Sequence, residues 1–328
     1  MKHTILFLIL VQYFILDFGF IVLGKPNLHN PEVLPWVRFN DSISQLSISP
    51  HEKYFSYIDK KDNKLKIFEY QTKDIYTVSK IFHQSDSFFW SPYGFRLFYT
   101  ESSKVNGQIK VQLKAFDCAS KKHILIESFK YQIGYLTFYP KDFRTFFYYE
   151  GGVHVVKLDY PGMKIPQWQR IHKKSNGNWV VAPGAVLWSS SNGLLLKDIF
   201  RTDDQITSFS ISADALFLAW ATESGKVYMA DERGDIKWLG YGKDPKWHPQ
   251  KDMMVYSAAR LLGQTIIGYD LRLTNSKGDA QWLSKTGSAN ERWPNWLSSS
   301  ESIAYTQEGT TDVFILKLQS RLALKQNL

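Results

Sequence analysis

The chain has 328 residues, a net charge of +9 and aromatic side chains at 16% of its positions, with 11 Trp, 18 Tyr and 22 Phe. Flat, bulky rings suit a pleated surface packed on both faces, so this composition predicts a β-rich chain. The Lys and Arg residues are scattered and form no dense block, which speaks against a nucleic-acid footprint and assigns the surplus to solubility.

In chain order, the first element is an apolar stretch. Lys2 precedes Thr4 to Leu23, which is apolar apart from Thr4, Gln12 and Asp17, and Val22-Leu23-Gly24 offers a cut before Lys25. Residues 1–24 are therefore expected to be an export signal, delivering the chain to a periplasm or the extracellular space. An uncleaved anchor is the alternative, but Asp17 deep in hydrocarbon would cost roughly 2.5 to 3.5 kcal/mol. Residues 25–42 read as an extension that includes the glycosylation-type triplet Asn40-Asp41-Ser42, and residues 43–328 as the folded domain. Cys118 is the single cysteine, so no internal disulfide forms and a buried, inert thiol is expected.

From residue 43 onward one grammar repeats. "WSPYGFRLFY" places Pro92 between two aromatic runs, and the same spacing returns at Pro50, Pro140, Ala213, Pro249 and Ser298, with a shorter copy at Pro183. Two residues before each anchor stand Ile48, Trp90, Phe138, Val181, Ile211, Trp247 and Trp296, all apolar. Seven after it stand Tyr57, Tyr99, Phe147, Trp220, Tyr256 and Tyr305, while the short copy reaches Trp188 two residues early. A polar break with Gly or Asn follows, then a further apolar run, four of which end in Asp117, Asp159, Asp231 and Asp270. Their carboxylates are expected to accept hydrogen bonds from the turn that follows the strand.

Each unit is thus about four short strands, and a repeat of roughly 40 to 50 residues matches a propeller blade. Pro presets φ for a tight turn and Gly supplies a positive φ; turns without that Gly are expected to differ in geometry. A single blade cannot bury both its faces, whereas a closed ring buries them all. The expected fold is all-β: a β-propeller of four-stranded antiparallel blades. Seven blades are favoured; six plus an irregular insertion is the alternative, because the copy at Pro183 leaves little room for a fourth strand.

The turns "WSPYG", "WHPQK" and "FYPKD", each followed by an aromatic-ended strand, resemble the WD40-like repeats of TolB-like propellers over roughly residues 43 to 320. The acidic residue usual after Pro in that family is replaced by Tyr93, His51, Lys141 and Gln250. The resemblance implies a structural repeat and carries no activity with it.

No G-x-S-x-G elbow, H-E-x-x-H, C-x-x-C or P-loop pattern occurs, and the histidines are dispersed in sequence, so no catalytic residue, metal or cofactor is expected. Function in such a ring collects on loops held by the scaffold. Connections from one blade's outer strand to the next blade's inner strand share one mouth of the ring. They supply the candidate binding residues His83, Asp86, Asp203, Asp204, Lys243, Asp244, Asn290, Glu291 and Arg292, with Trp293 as an exposed aromatic beside them. Trp90, Trp247 and Trp296 share a repeat column and are assigned to packing between blades. The expected function is that of an exported, monomeric, non-catalytic propeller binding a protein or an envelope macromolecule through this mouth. It would touch a membrane only through its amino terminus. The alternative is a hydrolase or lyase acting on an anionic glycan, which requires two carboxylates facing one cleft.

Overall fold

A computed structural model of the chain describes residues 32–79, 87–91, 94–131, 133–139, 144–149, 152–157, 167–170, 178–189, 196–298 and 301–318. His83, Asp86 and Asp159 lie outside them, as does the amino-terminal stretch. Among the described residues there are strands and turns and no helix. The strands follow one another as antiparallel meanders. The first runs through Ile43–Ile48, Tyr54–Asp59, Lys64–Glu69 and Ile75–Thr77, and the second through Phe88–Trp90, Arg96–Val105, Gln108–Asp117 and Lys122–Phe129. The third comprises Thr137–Tyr139, Arg144–Tyr149, Gly152–Lys157 and Gln167–Arg170. The fourth has the three strands Asn178–Ala182, Ala185–Ser189 and Leu196–Arg201, in keeping with its shortened repeat.

The fifth and sixth meanders are one hydrogen-bonded sheet, because the strand Ile236–Trp247 closes one and opens the other. Its front half pairs with Lys226–Asp231 and its rear half with Met254–Leu262. The bend between the halves needs glycine: Gly240 has φ +110°, and a Cβ on Gly242 would sit 2.5 Å from the Ser257 carbonyl oxygen. The last meander, Glu291–Trp296, Ser302–Gln307 and Asp312–Lys317, takes its fourth strand from Val33–Arg38. Part of the expected extension is therefore a strand of the sheet. The physical reason is that Asp312–Lys317 would otherwise present an unpaired outer edge. The result is an all-β propeller of antiparallel sheets. Counted by hydrogen-bonded sheets the described residues give six, and counted by meanders seven.

The repeat columns explain what holds the sheets to one another. Tyr57, Tyr99, Trp220, Tyr256 and Tyr305, each seven residues after an anchor, are all but inaccessible. Several also satisfy the hydroxyl that burial would otherwise strand: Tyr57 donates to Asp41 Oδ2 at 2.9 Å and Tyr256 to the Leu239 carbonyl at 3.2 Å. The tryptophans two residues before the anchors reach to the preceding meander. Trp90 Nε1 donates to the Ser47 carbonyl at 3.3 Å and Trp296 Nε1 to the Lys246 carbonyl at 2.9 Å. Cys118 is buried among these rings, and burial pushes its thiol up to about 12.

Two local expectations need correction. Two turns lacking the Gly of "WSPYG" keep its backbone, since Glu52 and Ala215, two residues after their anchors, take φ of 57° and 62°, beside 69° at Gly94, whereas Lys251 in the Pro249 turn does not and that turn differs as expected. The Ser49–Tyr54 and Ser212–Phe217 backbone bonds close the first two turns as Ser91–Arg96 closes the Gly turn. Asp270 does not end its strand, which runs on to Thr274. The turn role passes to Asn275, whose Oδ1 accepts the Asp279 amide at 2.9 Å. Asp117 and Asp231 do act as expected, accepting the Ser120 amide at 2.8 Å and the Asp235 amide at 2.9 Å.

Candidate functional site

The segments that open the meanders surround a cavity of about 600 Å³. Its wall is built from 44–47, 87–89, 135–136, 207–211, 243–246 and 292–293, with Glu223 from a turn between second and third strands. Five residues before their anchors stand Gln45, Ser87, Tyr135, Ser208, Asp244 and Trp293, and all six line this space. The cavity is thus a further column of the same repeat, seen once the neighbouring columns are in register.

Bulges shape the wall. Register shifts between Ser44 and Ser47, Ile206 and Ser208, Lys243 and Lys246, and Arg292 and Asn295 interrupt pairing with the second strand. Within three of these bulges a residue other than glycine is left-handed: Gln45 at φ 51°, Asp244 at 57° and Trp293 at 52°. Such conformations cost about 1 to 2 kcal/mol each and persist where the surroundings impose them. These three fall in one column, facing one cavity, so the wall concentrates backbone constraint.

Asp244 is the centre of a clasp joining three meanders. Its carboxylate accepts Arg292 Nε at 2.8 Å and the Trp293 amide at 3.3 Å, and its own amide donates to Ser208 Oγ at 3.2 Å. Both members of the ion pair are buried, at 8% exposure each. The Arg292 guanidinium lies 5.0 Å from the Tyr269 ring centre and 4.7 Å from that of Trp293. Burial works against its charge, yet the adjoining Asp244 outweighs it and holds the guanidinium more firmly protonated than usual. Asn295 continues the join by donating from Nδ2 to the Leu46 carbonyl at 3.0 Å.

These positions correct the expectation of a set of solvated loop residues. Lys243 and Asp244 lie inside a continuous strand, and Glu291, Arg292 and Trp293 begin another. Trp293 is 9% exposed, turned inward by its left-handed backbone to pack in the cluster of Phe39 and Tyr57. Glu291 is wholly buried and points away from the cavity, accepting the Leu271 amide at 3.1 Å together with the Ser284 hydroxyl. Burial pushes its carboxyl up to about 7. Asn290 is half-buried, with Oδ1 accepting the Tyr269 amide at 3.2 Å. Asp204 is also half-buried: burial raises its carboxyl, but bonds from Ser224 and Thr222 outweigh that and hold it below the usual range. Asp203 is exposed and Lys243 is half-buried on the cavity wall, its ammonium 5.9 Å from the Tyr269 ring centre. The structure thus brings Lys243, Asp244, Arg292 and Trp293 together at the cavity, and leaves Asp203, Asp204, Asn290 and Glu291 outside its lining.

Sequence reasoning missed Lys246, Ser210, Gln45 and Glu223. Among the described residues the cavity's carboxylates are Asp244, bound to Arg292, and Glu223, which is exposed. Among the described residues no group of His, Cys, Asp or Glu is placed to hold a metal ion.

Two hairpins stand beyond the rest on this side of the ring. Second and third strands are six residues long in most meanders, but Arg96–Val105 and Gln108–Asp117 have ten each, and Met254–Leu262 and Thr265–Thr274 nine and ten. Val105 and Ile109 near one tip are 51% and 49% exposed; Leu261, Leu262 and Ile267 near the other are 45%, 71% and 52%.

No protein-family model matches the chain, and no curated protein matches it by sequence. Solved structures do. The RRP9 WD40 repeats superpose with TM-score 0.57 at 11% identity, over 88% of this chain and 99% of that one. The Cps50 (Swd1) β-propeller domain from Myceliophteria thermophila gives 0.52 at 10% identity, over 88% and 100%. The fold is a WD40-like β-propeller. An oligogalacturonate lyase from Vibrio parahaemolyticus, 12% identical over 84% of this chain and 78% of that one, superposes at 0.46, too loosely to bear on chemistry. In propeller terms, the turns between second and third strands and the starts of the inner strands share one mouth of the ring, where Arg292 and Lys60 approach Glu308. The anchor turns share the other, where Lys251 pairs with Glu301 and His51 meets Phe95.

Proposed function

We propose that this propeller is a non-catalytic binding module, exported from the cytoplasm, that engages another macromolecule through the mouth flanked by its two long hairpins. The seven meanders are taken as seven blades, so the hairpins rise from the second and sixth. The observation that carries the proposal is the aliphatic side chains at both tips, exposed where the other second and third strands, among the described residues, are shorter. Apolar groups displayed on paired strands lose less conformational freedom on binding than those on open loops, and their burial supplies affinity. The cavity between them adds polar recognition. An enzyme acting on an anionic glycan would need a second free carboxylate beside Glu223, and among the described residues the other carboxylate of the lining, Asp244, is occupied by Arg292.

The test is retention of binding partners from the native compartment on the immobilised full chain. A Leu262→Asp, Ile267→Asp variant loses the partners that wild type holds, and Gln250→Glu on the opposite mouth keeps them. Equal retention by all three overturns the assignment. Intact-mass measurement of the exported chain is expected to show a start near Lys25; recovery of the chain with Met1 to Leu23 in the membrane fraction replaces export by anchoring.

A further inference from the structure

We propose that the cavity at the centre of the ring is a binding site for a small oxyanion, a carboxylate or phosphate group seated against the Lys246 ammonium. Lys246 follows the bulge that breaks register after Lys243, and the bulge sets its side chain on the cavity wall. Its side chain is half-buried, and burial lowers the pKa of its ammonium although Asp244 acts in the opposite sense.

Lys246 shares with Lys243 the lack of a counter-charge among the described residues. Other lysines of the inner structure are matched: Lys66 pairs with Asp59 at 2.6 Å and Asp41 at 3.0 Å, and Lys114 with Glu101. Arg292, on the same wall, has Asp244. Lys246 makes no ion pair or side-chain hydrogen bond among the described residues, because the carboxylate nearest in sequence is already committed to Arg292. A half-buried cation on a cavity wall, without a counter-charge, favours an anion that supplies the negative charge.

The surroundings supply donors. Ser208 Oγ accepts the Asp244 amide and Ser210 Oγ accepts the Trp247 amide at 2.9 Å, so each hydroxyl acts as acceptor towards the backbone and keeps its own proton to donate into the cavity. Lys243 on the same wall likewise has no ion pair among the described residues, whereas Glu223 is exposed to solvent. Among the described residues, two ammonium groups with one solvated carboxylate leave the lining short of one negative charge. The cavity's volume accommodates a small organic acid or phosphate ester.

The experiment is calorimetric titration of the full chain with acetate and, separately, with inorganic phosphate, at constant ionic strength in chloride, for wild type and Lys246→Met. Saturable binding of one anion per chain is expected, weakened about tenfold or more by the substitution, which removes a charged donor. The more tightly held anion tells a carboxylate from a phosphoryl source. In chloride alone the Met variant is expected to unfold at the same urea concentration as wild type or a higher one, since an unmatched cation has gone. Absence of saturable binding of both anions, binding by the variant within about twofold of wild type, or failure of the variant to fold each overturns the proposal. None of these outcomes bears on the hairpin tips.

Discussion

Removing the carboxylate of Asp244 is the sharpest perturbation of this ring. Asp244 and Arg292 are each 8% exposed and meet at 2.8 Å, so Asp244→Ala leaves a guanidinium enclosed by protein with only the distant, more exposed Glu308 at 3.9 Å. Breaking a buried pair from one side costs about 3 to 5 kcal/mol. Ala at a left-handed backbone, φ 57° here, adds about 1 kcal/mol. Asp244→Asn separates the two effects: Asn tolerates the left-handed region and still accepts from Arg292 and Trp293, so only the charge is lost, at about 1.5 to 3 kcal/mol. Arg292→Met placed on Asp244→Asn is expected to recover part of the loss, because both charges are then gone. Urea unfolding of wild type, Asp244→Ala, Asp244→Asn, Arg292→Met and the double variant, with the slope checked for constancy, measures these differences. A loss below about 1 kcal/mol for Asp244→Ala, or strict additivity in the double variant, refutes the clasp.

Tyr256→Ala, at a position 1% exposed, is expected to cost about 3 to 5 kcal/mol, and Tyr256→Phe, which loses only the bond to Leu239, about 1 kcal/mol; near-equal losses in urea titration contradict the assigned packing. Glu291 gives a pH dependence. Its folded carboxyl is raised to about 7 from 4.5, so its contribution is fully present below pH 4.5 and is lost as pH rises through 7, a change of roughly 3 kcal/mol. Glu291→Gln is therefore expected to gain on wild type as pH rises across that window; a constant difference between the two proteins contradicts the burial of this charge. Gly107→Ala, at φ +78° with nothing within 4 Å of the added methyl, is expected to cost about 1 kcal/mol from backbone strain alone, and an unchanged melting curve contradicts the Asn106-Gly107 hairpin turn.

The repeat was legible because anchor turns and packed aromatics recur at fixed offsets, and the offsets that located Trp90 and Tyr99 hold in the folded ring. The cavity was equally present in that alignment, five residues before each anchor, but its members are Gln, Ser, Tyr, Asp and Trp and share no chemistry. A column recognised by like residues misses a wall whose common property is backbone geometry. Lys243-Asp244-Pro245 has the composition of a turn, and its true role depends on Gly240 and Gly242 bending one strand across two meanders. Trp293 sits beside charged residues in sequence and would be exposed on a regular strand; the bulge turns it inward. Which carboxylate meets which cation is set by contacts between meanders nearly fifty positions apart, as with Asp244 and Arg292, and no local pattern encodes it.

The central claim is that the mouth bearing the long hairpins is the working face. Site-specific photo-crosslinking in the producing cell tests it directly, with a photoreactive residue placed in turn at Val105 and Leu262 on that mouth and at Gln250 and His51 on the other. The account predicts the same discrete adduct from both hairpin positions and none from the anchor turns. A discrete adduct from Gln250 or His51, with the hairpin positions silent, would contradict it.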